Sequence, residues 1–160
     1  MTDSEPLRAA RGVALATPLL LLGGAYLSQY GFGLYPCEMC WWQRWPHFAA
    51  LALAVLAFIR PPGRGLVALA AVAIAVSGVI GAFHAGVEYG WWDGLTACST
   101  DLSSGGGDAL EAVFNAPMVR CDVAPWSLLG ISLAGWNFLF SAAAAIAIAL
   151  LLTRARGKSA

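Results

Sequence analysis

The chain has 160 residues, 59% of them hydrophobic and 11% charged, with 9 basic and 9 acidic side chains that cancel. A soluble domain carries about 25% charged residues, so this composition excludes one, and the zero balance gives no argument for a nucleic-acid partner. Mean hydropathy is +0.70. Four apolar runs, roughly 13–29, 41–59, 66–87 and 126–152, each approach the ~20 residues that cross a bilayer. They predict one all-α integral membrane domain over 1–160: a four-transmembrane-helix bundle with outer loops at about 30–40 and 88–125.

The first eleven residues, with Asp3, Glu5 and Pro6, read as a short tail that frays. Arg8 and Arg11 then precede the first run, in the manner of a signal-peptide n-region. The run is longer than a usual h-region and closes without an Ala-x-Ala site, so a retained helix is expected. Gly23-Gly24 would let a neighbouring helix approach closely. A short link, Gly31 to Pro36, makes the first two helices antiparallel neighbours. The second helix is expected to open around Cys40 to Trp45, with Pro46 in its first turn and Trp41, Trp42 and Trp45 as an interfacial belt. Arg60-Pro61-Pro62-Gly63-Arg64 ends it.

The third helix is rich in Ala, Val and Gly until Phe83-His84, Glu88 and Tyr89. Between Gly90 and Pro125 lies a segment too long for a simple turn. Its Ser103-Ser104-Gly105-Gly106-Gly107 run has linker character. Asp108 and Glu111 have capping-box spacing, and Leu110, Val113, Phe114 and Met118 share a face, which predicts a short amphipathic surface helix. The fourth helix is expected to start after Pro125-Trp126-Ser127.

Charge placement orients this bundle. Arg8, Arg11, Arg60, Arg64, Arg154, Arg156 and Lys158 fall on one side of four crossings. The positive-inside rule puts both termini in the cytoplasm, and all four cysteines then face outward, where disulfides persist.

The chemistry lies in Cys37-Glu38-Met39-Cys40-Trp41-Trp42-Gln43-Arg44. Two thiols three apart at a helix start can close a disulfide, and the helix N-terminus stabilises a thiolate. Arg44 follows Cys40 by four and shares its helical face. An arginine entering an apolar segment is costly and marks function; the bland alternative is snorkelling to the headgroups. Cys98 and Cys121 form a second, widely spaced pair, and three pairings of the four cysteines are open. Inert structural disulfides or a zinc site are the competing readings, but zinc sites usually show two short Cys-x-x-Cys knuckles. His84, four before Glu88 near the outer end, suits a proton or ligand role. His47 reads as packing, and Gln43 and Glu88 carry little functional weight.

Pro36-Cys37-Glu38-Met39-Cys40-Trp41-Trp42-Gln43-Arg44 resembles the first outer loop of the DsbB family, the bacterial disulfide-bond formation protein B. Phe83-His84-Ala85-Gly86-Val87-Glu88, Cys98, and Cys121 leading to Trp126-Ser127-Leu128-Leu129-Gly130 are similar to that family as well. The resemblance implies an inner-membrane protein-disulfide:quinone oxidoreductase. It would oxidise a periplasmic, thioredoxin-like DsbA-type partner and pass two electrons to membrane quinone, ubiquinone or menaquinone. In family terms Cys98 would take the partner's thiolate, the released Cys121 would attack Cys37, and Cys40 would be freed facing the quinone. Arg44 and His84 would lie near the quinone headgroup. A quinone-linked reductase of the vitamin K epoxide reductase type is the runner-up, although there the Cys-x-x-Cys belongs to a late helix. A non-catalytic membrane protein stapled by disulfides is the other.

Overall fold

The computed structural model describes residues 4–96 and 119–157. The expected surface helix, the glycine run and Cys98 lie outside the described residues. Among the described residues four long helices form the fold: α1 (Glu5–Gly31), α2 (Glu38–Ile59), α3 (Arg64–Glu88) and α4 (Leu133–Gly157). A two-stranded antiparallel hairpin, β1 (Ser127–Leu128) and β2 (Ile131–Ser132), precedes α4. The helices close a ring in which α1 packs on α2, α2 on α3, α3 on α4, and α4 back on α1.

Three helices, α1, α3 and α4, are long and apolar enough to cross a membrane. In α2 the first turns carry Gln43, Arg44 and His47, which dilute an otherwise apolar stretch. The outward surface is lipid-like. Leu20, Leu27, Val72, Val79, Ile146 and Leu150 are all exposed, far more apolar surface than a soluble monomer leaves open.

Away from the cysteines the core is built of alanine: Ala10, Ala14, Ala50, Ala54, Ala57 and Ala70 are fully buried around Ile74 and Ile148. Small residues bring helices close where no hydrophobic effect separates protein from lipid tails. The same device operates beside the site. A Cβ on Gly81 would lie 2.9 Å from the Ala134 carbonyl oxygen, so only glycine allows this α3–α4 approach.

Three local expectations change. The N-terminal tail is helical from Glu5, with Pro6 in the first turn, where its missing N–H costs nothing. Leu7, Ala10 and Arg11 are buried, and Arg11 donates to the Pro62 carbonyl. Because α2 begins at Glu38, Pro46 lies two turns inside it rather than in its first turn. Third, α4 starts at Leu133 and not near 126. Leu129 and Gly130 both take positive φ, 54° and 77°, and turn the chain back. Tyr89 then holds the hairpin: its hydroxyl accepts from the Ser132 N–H and donates to the Gly130 carbonyl, each at 3.0 Å. The Ser132 hydroxyl accepts from the Gly135 N–H at 3.1 Å, a capping contact that fixes the helix start.

Candidate functional site

Cys37 is the N-cap of α2. Its backbone is extended, and its sulfur accepts the Cys40 N–H at 3.3 Å, one of the donors a helix start leaves unpaired. One helical turn brings the two sulfurs to 3.1 Å. Both are free thiols, Cys37 buried and Cys40 half-buried. Cys37 precedes the first residue of α2, and its surroundings favour the thiolate. The hydrogen bond with the Cys40 thiol is the largest influence and lowers it. Burial opposes, but His84 and the Cys40 backbone N–H add to the lowering, and Cys37 is held well below the usual thiol range.

The last turns of α3 close over this dithiol. His84 is buried, with Nε2 3.6 Å from the Cys37 sulfur and Nδ1 2.8 Å from Gln43 Nε2. One turn on, Glu88 presents Oε1 3.8 Å from the same His84 Nε2, with its side chain only 2% exposed. Beneath them runs a polar network. Gln43 Nε2 donates to the Met39 carbonyl, and Asn137 Nδ2 donates to Gln43 Oε1 at 2.8 Å and to the Ser77 carbonyl at 3.2 Å. Asn137 Oδ1 faces His47 Nε2 at 2.9 Å and accepts from the Ser141 hydroxyl.

Cys121 is disulfide-bonded and fully buried, in one cluster with Cys37, Met39 and Val87, against which Cys40 and Phe83 pack. A disulfide-bonded sulfur therefore reaches the dithiol on its α3 side. Thr96 donates its hydroxyl to the Cys121 sulfur at 3.4 Å.

On the other side of Cys40 opens a cavity of about 280 Å³ between α1, α2 and α4. Leu20, Leu21, Leu133 and Phe140 give it apolar walls, and Cys40 and Arg44 stand on its lining. Arg44 is 6% exposed. It donates to Gln29 Oε1 at 2.7 Å and to the Ala25 carbonyl at 3.4 Å, with its guanidinium 5.0 Å from the Tyr26 ring and 4.9 Å from the Trp41 ring. It is not snorkelling; it is held inside the bundle, facing α1. Among the described residues no hydrogen bond joins it to Cys40. It shares the cavity with that sulfur instead.

The structure thus gathers Cys37, Cys40, His84 and Cys121 into one cluster and sets Arg44 beside Cys40 at the cavity. His84 is not on the cavity lining; Gln43, which is, separates it from that space. Sequence reasoning gave Gln43 and Glu88 little weight and passed over Asn137, Ser77 and Ser141. The usable signal was polarity itself, because an amide or hydroxyl within an apolar membrane helix needs a partner.

A family model for the disulfide bond formation protein DsbB matches residues 7–151. Among curated proteins the chain is 32% identical to the disulfide bond formation protein B of Polaromonas sp. (strain JS666 / ATCC BAA-500), covering 95% of this chain and 94% of that one. It is 31% identical to the protein of the same name from Aromatoleum aromaticum, over 86% and 87%. It is 24% identical to the uncharacterized protein RP370 of Rickettsia prowazekii, over 88% and 84%. No solved structure matches. With a buried dithiol at a helix start, the disulfide-bonded Cys121 against it and a lipid-facing bundle around both, the chain belongs to the DsbB family and is a membrane oxidoreductase of disulfide-bond formation.

Proposed function

We propose that the protein oxidises a periplasmic, thioredoxin-like dithiol partner of DsbA type and delivers two electrons to a membrane quinone, sustaining disulfide formation outside the inner membrane. All four helices cross the bilayer in this reading, with cytoplasmic termini. The observation that carries it is the position of the dithiol between two neighbours: buried Cys121 packs against Cys37 on one side, and Cys40 lines the apolar cavity on the other. Electrons entering through one pair can leave through the other without crossing solvent.

The cavity fits a quinone ring. Its apolar walls suit an isoprenoid-bearing molecule, and Arg44 supplies a fixed positive charge and planar donors beside Cys40. The quinone supplies the two-electron acceptor. The protein's own part is thiol exchange and electrostatics. The partner's thiolate attacks Cys98, and Cys121 leaves. Cys121 then attacks Cys37, whose bond to Cys40 breaks, and the Cys40 thiolate is left at the cavity. An attacked sulfur must be reachable and its leaving group a stabilised thiolate; in this reading the N-terminus of α2 and the Arg44 charge serve the second at Cys40.

The test is purified protein in detergent with a reduced thioredoxin-like partner and a water-soluble quinone, following quinone absorbance. Quinone should be consumed in step with partner thiols. Partner oxidation that proceeds equally without quinone, or no oxidation at all, overturns the proposal.

A further inference from the structure

The polar network below the dithiol fixes which nitrogen of each histidine carries a proton. Two backbone carbonyls, which can only accept, set the polarity. Asn137 must turn its N–H₂ toward the Ser77 carbonyl at 3.2 Å, so its oxygen faces His47 and Ser141. Gln43 likewise must turn its N–H₂ toward the Met39 carbonyl at 3.2 Å, and its oxygen then receives the Asn137 N–H at 2.8 Å. Reversing Gln43 would set two donors against each other at one end and two acceptors at the other. The Gln43 N–H₂ therefore also donates to His84 Nδ1 at 2.8 Å. That nitrogen is a bare acceptor, and the ring proton of neutral His84 is on Nε2, the atom 3.6 Å from the Cys37 sulfur.

We propose that Gln43 and Asn137 are positioning residues that lock His84 as a permanent Nε2–H donor to Cys37, so that Cys37 is stabilised as the thiolate whenever it is expelled. This deepens the relay proposed above and rests on it for its role in turnover. The step served is the one that restores the second cysteine pair. A thiolate attacks Cys121 in the Cys37–Cys121 disulfide, a new S–S bond forms at Cys121, the old one breaks, and Cys37 leaves with the electron pair. Nothing is oxidised or reduced overall, and no proton need move, because His84 only hydrogen-bonds the leaving sulfur. Leaving-group stabilisation speeds such exchange. Glu88 Oε1, at 3.8 Å, also faces His84 Nε2 and competes for the same N–H, and the Cys121 backbone carbonyl is a further acceptor for the His84 ring.

The lock also decides between two uses of the cluster. The sulfurs of Cys37 and Cys40 and a His84 nitrogen all lie within 4.8 Å of one another, near enough to hold a metal ion. A histidine ligating through Nε2 needs its proton on Nδ1, donated to an acceptor. Gln43 presents a donor there, so the arrangement favours a thiolate over a cation.

The chain has two histidines, which makes the tautomers directly readable. The experiment is nitrogen-15 NMR of histidine-labelled, reduced, full-length protein in detergent without quinone, with His47→Leu to assign the two signals. Both rings should show a protonated Nε2 and a bare Nδ1, the other tautomer staying below about a sixth, the fraction that one net hydrogen bond sustains. Gln43→Glu replaces the donor with an acceptor and should move a proton onto His84 Nδ1 in most molecules, leaving His47 as it was. Glu88→Gln should leave the His84 tautomer unchanged. Wild-type His84 protonated on Nδ1, or a Gln43→Glu protein with Nδ1 still bare, overturns the proposal. A tautomer that flips in Glu88→Gln assigns the control to Glu88 and overturns it too. Because no quinone is present, these outcomes are independent of the acceptor reading.

Discussion

Arg44→Ala separates a structural arginine from a functional one. The charged hydrogen bond to Gln29 stabilises by about 1.5–3 kcal/mol. The Tyr26 and Trp41 faces contribute about 0.5–2 kcal/mol each. Against this, removing a charge from apolar surroundings relieves about 2.5–3.5 kcal/mol. At mid-range the losses exceed the relief, so the expected net loss of stability is about 2 kcal/mol, a shift of about 4–8 °C in a chain of this size. The cavity, however, loses the one fixed cation on its described lining. The apparent Michaelis constant for a soluble quinone should rise by at least about tenfold, the equivalent of one charge-assisted hydrogen bond. Binding of the thioredoxin-like partner should stay within a factor of two or so. Thermal unfolding in detergent and steady-state quinone reduction measure both on one preparation. Unchanged quinone kinetics would refute the assignment, as would a large fall in unfolding temperature with activity falling in proportion. Arg44→Lys keeps the charge but not the planar donors or the stacking, and should recover only part of the loss.

Cys40→Ser combined with Cys98→Ser should trap a Cys37–Cys121 disulfide, seen by peptide mapping after alkylation; free Cys37 and Cys121 thiols under full oxidation would break the relay. An impermeant thiol reagent should label the reduced cysteines in intact spheroplasts, and labelling only after the inner membrane is opened would reverse the topology. Because Cys37 is held below the usual thiol range, thiolate ultraviolet absorbance of the reduced protein should persist at neutral pH and disappear only as pH falls below it. Conventional thiol behaviour, with the signal appearing only in alkali, would contradict the geometry. Tyr89→Phe removes two hydrogen bonds at 3.0 Å, about 1 kcal/mol each. It should speed hydrogen exchange at the Ser132 amide while leaving the cysteine chemistry intact.

Much of the site was legible because its parts are close in sequence. A Cys-x-x-Cys three residues apart must meet on one helical turn, and His84 and Glu88 at i and i+4 must share a face. The partnership of Gln43 with Asn137 was not legible, for they are 94 residues apart. In the run from Leu133 onward only Asn137 and Ser141, four apart, mark an inner face, and neither names its partner on another helix. Arg44 was singled out from its charge, but its direction was not, since an arginine at that position reaches the headgroups or a neighbouring helix equally well. The late start of α4 was hidden by Leu128-Leu129-Gly130-Ile131, which reads as the beginning of a membrane span. A leucine at φ 54° contradicts residue preference, and tertiary contacts from Tyr89 hold it there.

The alanine floor of the bundle has a mechanical consequence. Alanine has no rotamers to freeze and no side chain to swing aside, so the helices pack closely and stiffly there around Val67, Ile74 and Ile148. A helix of ~20 residues extends about 30 Å. A tilt of about 5° about Ala54 therefore displaces Cys40, about 21 Å along α2, by about 1.8 Å. The floor works as the fulcrum of a lever whose moving end carries the cysteines and the cavity mouth. A bulky replacement at Ala54 or Ala70, in a core cluster separate from that of Cys37 and Cys121, would be felt at the dithiol as a change in angle before it was felt as a loss of folding.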